Sequence, residues 1–179
     1  MSQKPLQYAV YKGMSGKFGA LQLNFQPPHY YKDRDKDFTG SQALDSKGRV
    51  MEDQGWKQRE GAIFVEAAPT VGANKYDWDQ KITFALSVTD MGKIVHFLVS
   101  AKDLNIMHDP GAKSEAAGAV KKYLNMSSPK GLMEGGAMLS LSQQKGGEKI
   151  THTIPLSPDE CIVIRQLLMA AIPSALAWD

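Results

Sequence analysis

Lysines set beside aromatic residues are the groups in this 179-residue chain best suited to chemistry. Tyr11 and Phe18 stand next to Lys12 and Lys17 around a glycine-rich stretch, and Tyr30-Tyr31-Lys32 follows. Arg49, Lys57 and Arg59 surround Trp56, and Lys121-Lys122 leads into Tyr123. Cations hold phosphates and aromatic faces stack unpaired bases, so this interleaving suits a single-stranded nucleic acid. Taken singly, each pair also fits a solvated strand edge, where lysine discourages aggregation. Recurrence in several segments is what favours binding. Catalytic sets are thin by comparison. His29, His96, His108 and His152 are scattered without metal-ligand spacing, and a single cysteine, Cys161, leaves no zinc set. His108-Asp109 would face opposite ways in a strand and Pro110 follows at once, which favours turn capping over a base with its orienter. Gly111-Ala112-Lys113-Ser114 lacks the phosphate-loop frame, and Gly13, Gly16 and Gly19 lead into a strand rather than a helix. No enzyme, cofactor or metal site is expected.

Composition narrows the class without naming a ligand. Apolar residues make up 42% and charged residues 22%, ordinary values for a globular domain. Residues 1–90 hold 12 Lys/Arg against 11 Asp/Glu, and residues 91–179 hold 9 against 8. A polyanion partner therefore requires charge sorted onto one face. No apolar run reaches the roughly 18 residues of a membrane span, so no membrane partner is expected, and the N-terminus carries no transit-peptide pattern. Cys161 reads as a small core residue.

Two segments 80 positions apart carry matching helix-start signals, Asp77-Trp78-Asp79-Gln80 and Ser157-Pro158-Asp159-Glu160. Each is a capping residue followed three positions later by Gln or Glu. The stripes Phe84, Val88, Met91, Val95, Leu98 and Ile164, Leu168, Ala171, Ala175, Trp178 follow at helical spacing. They predict helices from about Trp78 to Val99 and from Ser157, with Pro173 kinking or ending the second. Alternation predicts one or two strands over 8–25 with a glycine bulge, then a strand pair over Arg49–Lys57 and Gly61–Ala68. Four more strands are predicted over Leu104–Asp109, Ala119–Met126, Ala137–Gln144 and Glu148–Leu156. Residues 1–7 read as a loose leader, and 31–48 as an inserted hairpin or loop. The result is an α+β domain over 8–179, ββββα written twice (8–99 and 101–179), with two antiparallel sheets and two helices. Both helices are apolar on more than one side, which predicts an oligomer with Phe84, Val88, Met91, Leu168 and Ala171 at a helical centre.

Specific strings carry a family resemblance. Lys75-Tyr76-Asp77-Trp78, Ser87-Val88-Thr89, His108-Asp109-Pro110 and Val120-Lys121-Lys122-Tyr123-Leu124 stand in the order and spacing of the Whirly family. Val10-Tyr11-Lys12-Gly13, with Lys17 and Ala20-Leu21, is similar to a stretched form of that family's Lys-Gly-Lys-Ala-Ala-Leu motif. Met14-Ser15-Gly16 interrupts the motif and a hydrophilic insertion follows Tyr31; in both respects the chain resembles the kinetoplastid mitochondrial RNA-binding branch. The resemblance implies two roughly perpendicular four-stranded sheets per subunit, a pseudo-fourfold tetramer shared with a paralogous subunit, and a mitochondrial location. It further implies sequence-independent binding of guide RNA through the sugar–phosphate backbone and annealing of guide RNA to pre-mRNA in RNA editing. Lys12, Lys17, Arg49, Lys57, Arg59, Lys121 and Lys122 would hold phosphates, and Tyr11, Phe18 and Trp56 would line the surface. An organellar single-stranded DNA-binding protein is the alternative, and a structural assembly module without a nucleic-acid ligand is a third reading.

Overall fold

The computed structural model of the chain describes residues 7–13, 18–32, 56–110 and 119–178, those at 30–32 and 56–58 by backbone alone. β1 (Gln7–Tyr11) and β2 (Ala20–Gln26) pair antiparallel with Val10 opposite Leu21, and the Lys12 N–H donates to the Gly19 carbonyl at 3.0 Å. The described part of residues 8–25 therefore holds two strands, and the expected glycine bulge falls partly outside the described residues. β3 (His29–Lys32) and β4 (Trp56–Arg59) form a separate antiparallel pair, His29 opposite Arg59. Tyr31 and Lys32, at the start of the predicted insertion, thus lie in a strand; Lys17, Arg49 and the 33–48 part of the insertion lie outside the described residues.

The predicted pairing of Arg49–Lys57 with Gly61–Ala68 is not the one formed. β5 (Ala62–Ala68) pairs with β2, Leu23 opposite Val65, while β4 belongs to β3. Gly61 enforces the separation. Its N–H donates to the Ala175 carbonyl at 2.9 Å, and a Cβ there would lie 2.8 Å from the Gln26 carbonyl oxygen. After the short ribbon of β6 (Thr70–Gly72) and β7 (Lys75–Tyr76), the chain reaches β8 (Ile82–Leu86), which completes a sheet of order β1-β2-β5-β8.

That strand replaces the first third of a predicted helix. Asp77 does cap, its Oδ1 accepting from the N–H groups of Asp79 and Gln80 at 3.0 and 3.3 Å, but only a 3-10 turn over Trp78–Gln80 follows. Ile82, Phe84 and Leu86 then alternate with Thr83 and Ala85, a period-two pattern that puts all three apolar side chains under the sheet. Helix α1 (Val88–Ser100) begins at Ser87, where a true capping box joins Ser87 to Asp90.

The second half follows its predicted plan closely. β9 (Leu104–His108), β10 (Val120–Ser127), β11 (Ala137–Lys145) and β12 (Glu148–Leu156) form a meander in sheet order β12-β11-β10-β9. Gly146 and Gly147, at φ 57° and 90°, make the two-residue turn between β11 and β12. A one-turn helix, α2 (Leu132–Gly135), bridges β10 and β11. Helix α3 (Pro158–Ala175) opens with the Ser157–Glu160 capping box and runs through Pro173, which sits in its final turn. The two capping boxes are thus 70 positions apart, at Ser87 and Ser157.

One core joins both sheets and both long helices. Val10, Leu21, Leu23, Val65 and Phe84 from the first sheet meet Ile106, Leu124, Leu141 and Ile154 from the second. Met91, Ile94 and Phe97 of α1 and Ile164 and Leu168 of α3 close it. Phe84, Met91 and Leu168 are 1%, 0% and 0% exposed within a single chain, so these three belong to the subunit core and not to a free interface. Val88 and Ala171 are only partly buried. The unsatisfied apolar surface lies elsewhere, at Val99 on α1 and Ile162, Val163, Leu167 and Met169 on α3. Trp178, expected at the end of the second stripe, is 77% exposed. Among the described residues, no helix is long and apolar enough to cross a membrane.

Candidate nucleic-acid interface

The pleat decides which cations face a ligand. In β10, Lys122, Leu124 and Met126 share the inward face with Ile106 and Leu141, so Lys121, Tyr123 and Asn125 face outward. The same register brings Asn105 and Met107 of β9, Ser140 and Ser142 of β11, and Lys149, Thr151 and Thr153 of β12 to that outer face. Its outward strand positions carry two ammonium groups and no carboxylate.

Hydrogen bonds fix this surface as a polar lattice. Asn105 Nδ2 donates to Asn125 Oδ1, while the Ser140–Thr153 and Ser142–Thr151 hydroxyl pairs each stand 2.8 Å apart. Lys149 Nζ lies 5.5 Å from the centre of the Tyr123 ring, within cation–π range, and Lys121 is exposed beside it. Hydroxyls, amides and ammonium groups on a rigid pleat can donate to phosphate and sugar oxygens, and an aromatic face among them can stack a base. Asn105, Asn125, Ser140 and Ser127 line a depression of about 250 Å³ on the same face, with the exposed Asp103 at its border.

The outer face of the first sheet is different. Glu66 there accepts from Asn24 Nδ2 at 3.2 Å, Thr83 Oγ1 at 3.1 Å and Lys81 Nζ at 2.8 Å. Its charge is balanced locally by Lys81, so among the described residues this pair offers no positive excess to a polyanion. Tyr11 is 58% exposed on this side, its ring 5.4 Å from that of Tyr76, whose hydroxyl accepts from the Gly13 N–H at 3.0 Å.

Two of the predicted phosphate ligands are committed to the fold. Lys12 continues the inward face of β1, and its Nζ lies 2.9 Å from Glu160 Oε2, the carboxylate that also caps α3. Lys122 Nζ donates to the Thr83 carbonyl at 2.8 Å, and burial pulls its pKa below the usual lysine value. Both ammonium groups tie elements together. Among the described side chains of the predicted lysines, Lys121 is the one on the outer face of the second sheet, and Arg59 is exposed on β4. Phe18, half-buried, lines a cleft with Thr70, Thr151, His152 and Thr153 between the two sheets. Lys57 and Trp56 lie in β4, remote in pairing from the lattice.

His108 faces inward from β9. Its ring stacks on Phe84 at 4.4 Å and its Nε2 lies 3.0 Å from Asp90 Oδ2, so it clamps β9 to the start of α1. Burial works to raise the Asp90 pKa, but hydrogen bonds from the Ser87 side chain and backbone, with His108 and Lys93 nearby, hold it below the usual carboxylate range. Cys161 is buried, and its thiol is pushed up to about 11 by burial and then by the Glu160 carboxylate. It is a core residue, as its apolar neighbours indicate. Lys149, the serine–threonine pairs and the asparagine pair are legible only as alternation: each occupies the parity opposite to the buried apolar residues of its strand, Ser142 being itself covered at 2% exposed.

Comparison with known proteins places this geometry. The mitochondrial single-stranded DNA-binding protein WHY2 of Arabidopsis thaliana is 32% identical over 125 residues, covering 68% of this chain and 50% of that protein. Further matched relatives are named chloroplastic, and the chain spans about half the length of the curated relatives it matches. The crystal structure of WHY3 from Arabidopsis thaliana superposes with a TM-score of 0.77 at 24% identity over 99% of this chain and 92% of that one. A guide-RNA-binding protein complex bound to a guide RNA gives 0.56 at 10% identity over 95% of this chain and 91% of that one, a likeness of fold alone. The family described as Whirly transcription factor matches residues 42–167, more than half the chain, and with the two-sheet, two-helix architecture already in place this chain belongs to the Whirly family.

Proposed function

We infer that the chain is a non-catalytic, organellar single-stranded nucleic-acid-binding protein whose principal ligand is DNA. One observation carries the reading: the outer face of the second sheet joins Lys121, Lys149 and Tyr123 to a hydroxyl and amide lattice whose outward strand positions carry no carboxylate, Asp103 standing at its border just before β9. Such a face neutralises a backbone and stacks bases without reading their edges, so binding is steeply salt-dependent and weakly sequence-selective. The relatives' names favour single-stranded DNA over guide RNA, and one of them favours the mitochondrion. Guide-RNA annealing with a paralogous subunit rests on the weaker, fold-level likeness. Assembly with further copies is supported by Val163 and Leu167, exposed on α3 beside an apolar groove lined by Tyr8, Phe25 and Ala171. Equilibrium competition among matched single-stranded DNA, single-stranded RNA and duplex DNA tests the ligand. Single-stranded DNA is expected to compete best; a preference for RNA would restore the guide-RNA reading, and a preference for duplex would overturn both.

A further inference from the structure

We propose that the cleft where the edges of the two sheets meet receives one unstacked base of the bound strand. The inference rests on the single-strand reading above and adds to that face a second contact, one that requires a base but does not choose among bases. The cleft lies between β8 and β9 and encloses about 480 Å³, inside the range of roughly 300–1,000 Å³ typical of small-ligand sites. Both sheets supply its walls. Phe64 and Ala85 come from the outer face of the first sheet, and Met107, 52% exposed, from that of the second.

The inner end of the cleft is held firmly. His108 stacks on Phe84 and is hydrogen-bonded to Asp90, and Lys122 Nζ is fixed by the Thr83 carbonyl at 2.8 Å. An ammonium group has three donors, and Thr83 occupies one of those on Lys122. A base carbonyl or ring nitrogen supplies the kind of acceptor the others require. Apolar walls with a cationic donor at the inner end and the Asp109 carboxylate on the lining match a nucleobase, which has apolar faces and both acceptor and donor edges; an aliphatic chain would leave the polar groups unused. Position points the same way. Met107 stands opposite Tyr123 in the β9–β10 ladder, so a strand lying on the polar lattice reaches the cleft without leaving the sheet.

The test compares a base-bearing single-stranded deoxyoligonucleotide with an abasic deoxyribose strand of equal length, by fluorescence anisotropy at low ionic strength. Backbone contacts hold both strands under those conditions. Ala85→Leu fills the cleft from an exposed edge position, and Phe64→Ala removes a wall; melting curves confirm that each variant is folded. Each is expected to weaken binding of the base-bearing strand about tenfold, the scale of one lost stacking contact, and to leave the abasic strand unchanged. Equal losses on both strands, or no loss on the base-bearing one, would overturn the cleft assignment while the outer-face reading stands. Failure of the unaltered protein to bind either strand would remove the outer-face reading itself.

Discussion

Lys121 and Lys122 are neighbours in the chain and opposites in the fold. Lys121 projects from the outward side of β10 into solvent, whereas Lys122 reaches inward and donates to the Thr83 carbonyl at 2.8 Å, linking the second sheet to the edge of the first. Replacing Lys122 with Met leaves that carbonyl without its partner, so stability should fall by about 1–3 kcal/mol. The same change at Lys121 should stay within about 0.5 kcal/mol. Urea denaturation of the two variants checks the difference.

Salt titration counts phosphates. For a single strand, each phosphate neutralised contributes about 0.7 to the slope of log affinity against log salt. Lys121→Ala and Lys149→Ala should each reduce that slope by about this amount, and Lys12→Ala, whose ammonium is already paired with Glu160, should leave it unchanged.

Asp90 sets an acid limit on stability. Its folded pKa is depressed, so its contribution is fully present above the ordinary carboxylate value of about 4 and is lost as pH falls through the lowered value. Asp90→Asn removes the charge that faces His108 and Lys93 and should cost about 1–3 kcal/mol at neutral pH. It should also flatten the fall of stability below pH 4. Melting temperatures from pH 2 to 7 for both proteins test the direction.

Helix α3 separates folding from assembly at adjacent positions. Leu168 is 0% exposed and Leu167 is 40% exposed within one chain. Leu168→Asp buries a charge in the core and should unfold the subunit. Leu167→Asp should leave a folded chain that no longer self-associates. Sedimentation velocity with circular dichroism distinguishes the two outcomes.

What the sequence reveals depends on whether local pattern and tertiary register agree. Strands β9 to β12 and helix α3 were readable because alternation, the Gly146-Gly147 turn and the Ser157–Glu160 box all point to the same elements. Residues 82–86 were misread because Phe84, Val88 and Met91 continue a helical stripe across what is a strand and a cap, while Asp77 supplied a convincing but short-lived helix start. The site was half legible. Sequence composition shows that lysines and aromatics recur, yet which lysine faces out depends on strand register. A shift of one position exchanges Lys121 for Lys122. Lys12 stands out in the sequence by its neighbour Tyr11 and by the motif; its partner Glu160 lies in the other half of the chain, 148 positions on.

Binding of a fluorescent single-stranded oligonucleotide to the Lys121→Glu/Lys149→Glu variant is the direct test of the outer face of the second sheet as the ligand surface. At moderate salt, and with a melting temperature equal to that of the unaltered protein, affinity should fall by at least tenfold. Undiminished affinity in a folded double variant would contradict the assignment of this face.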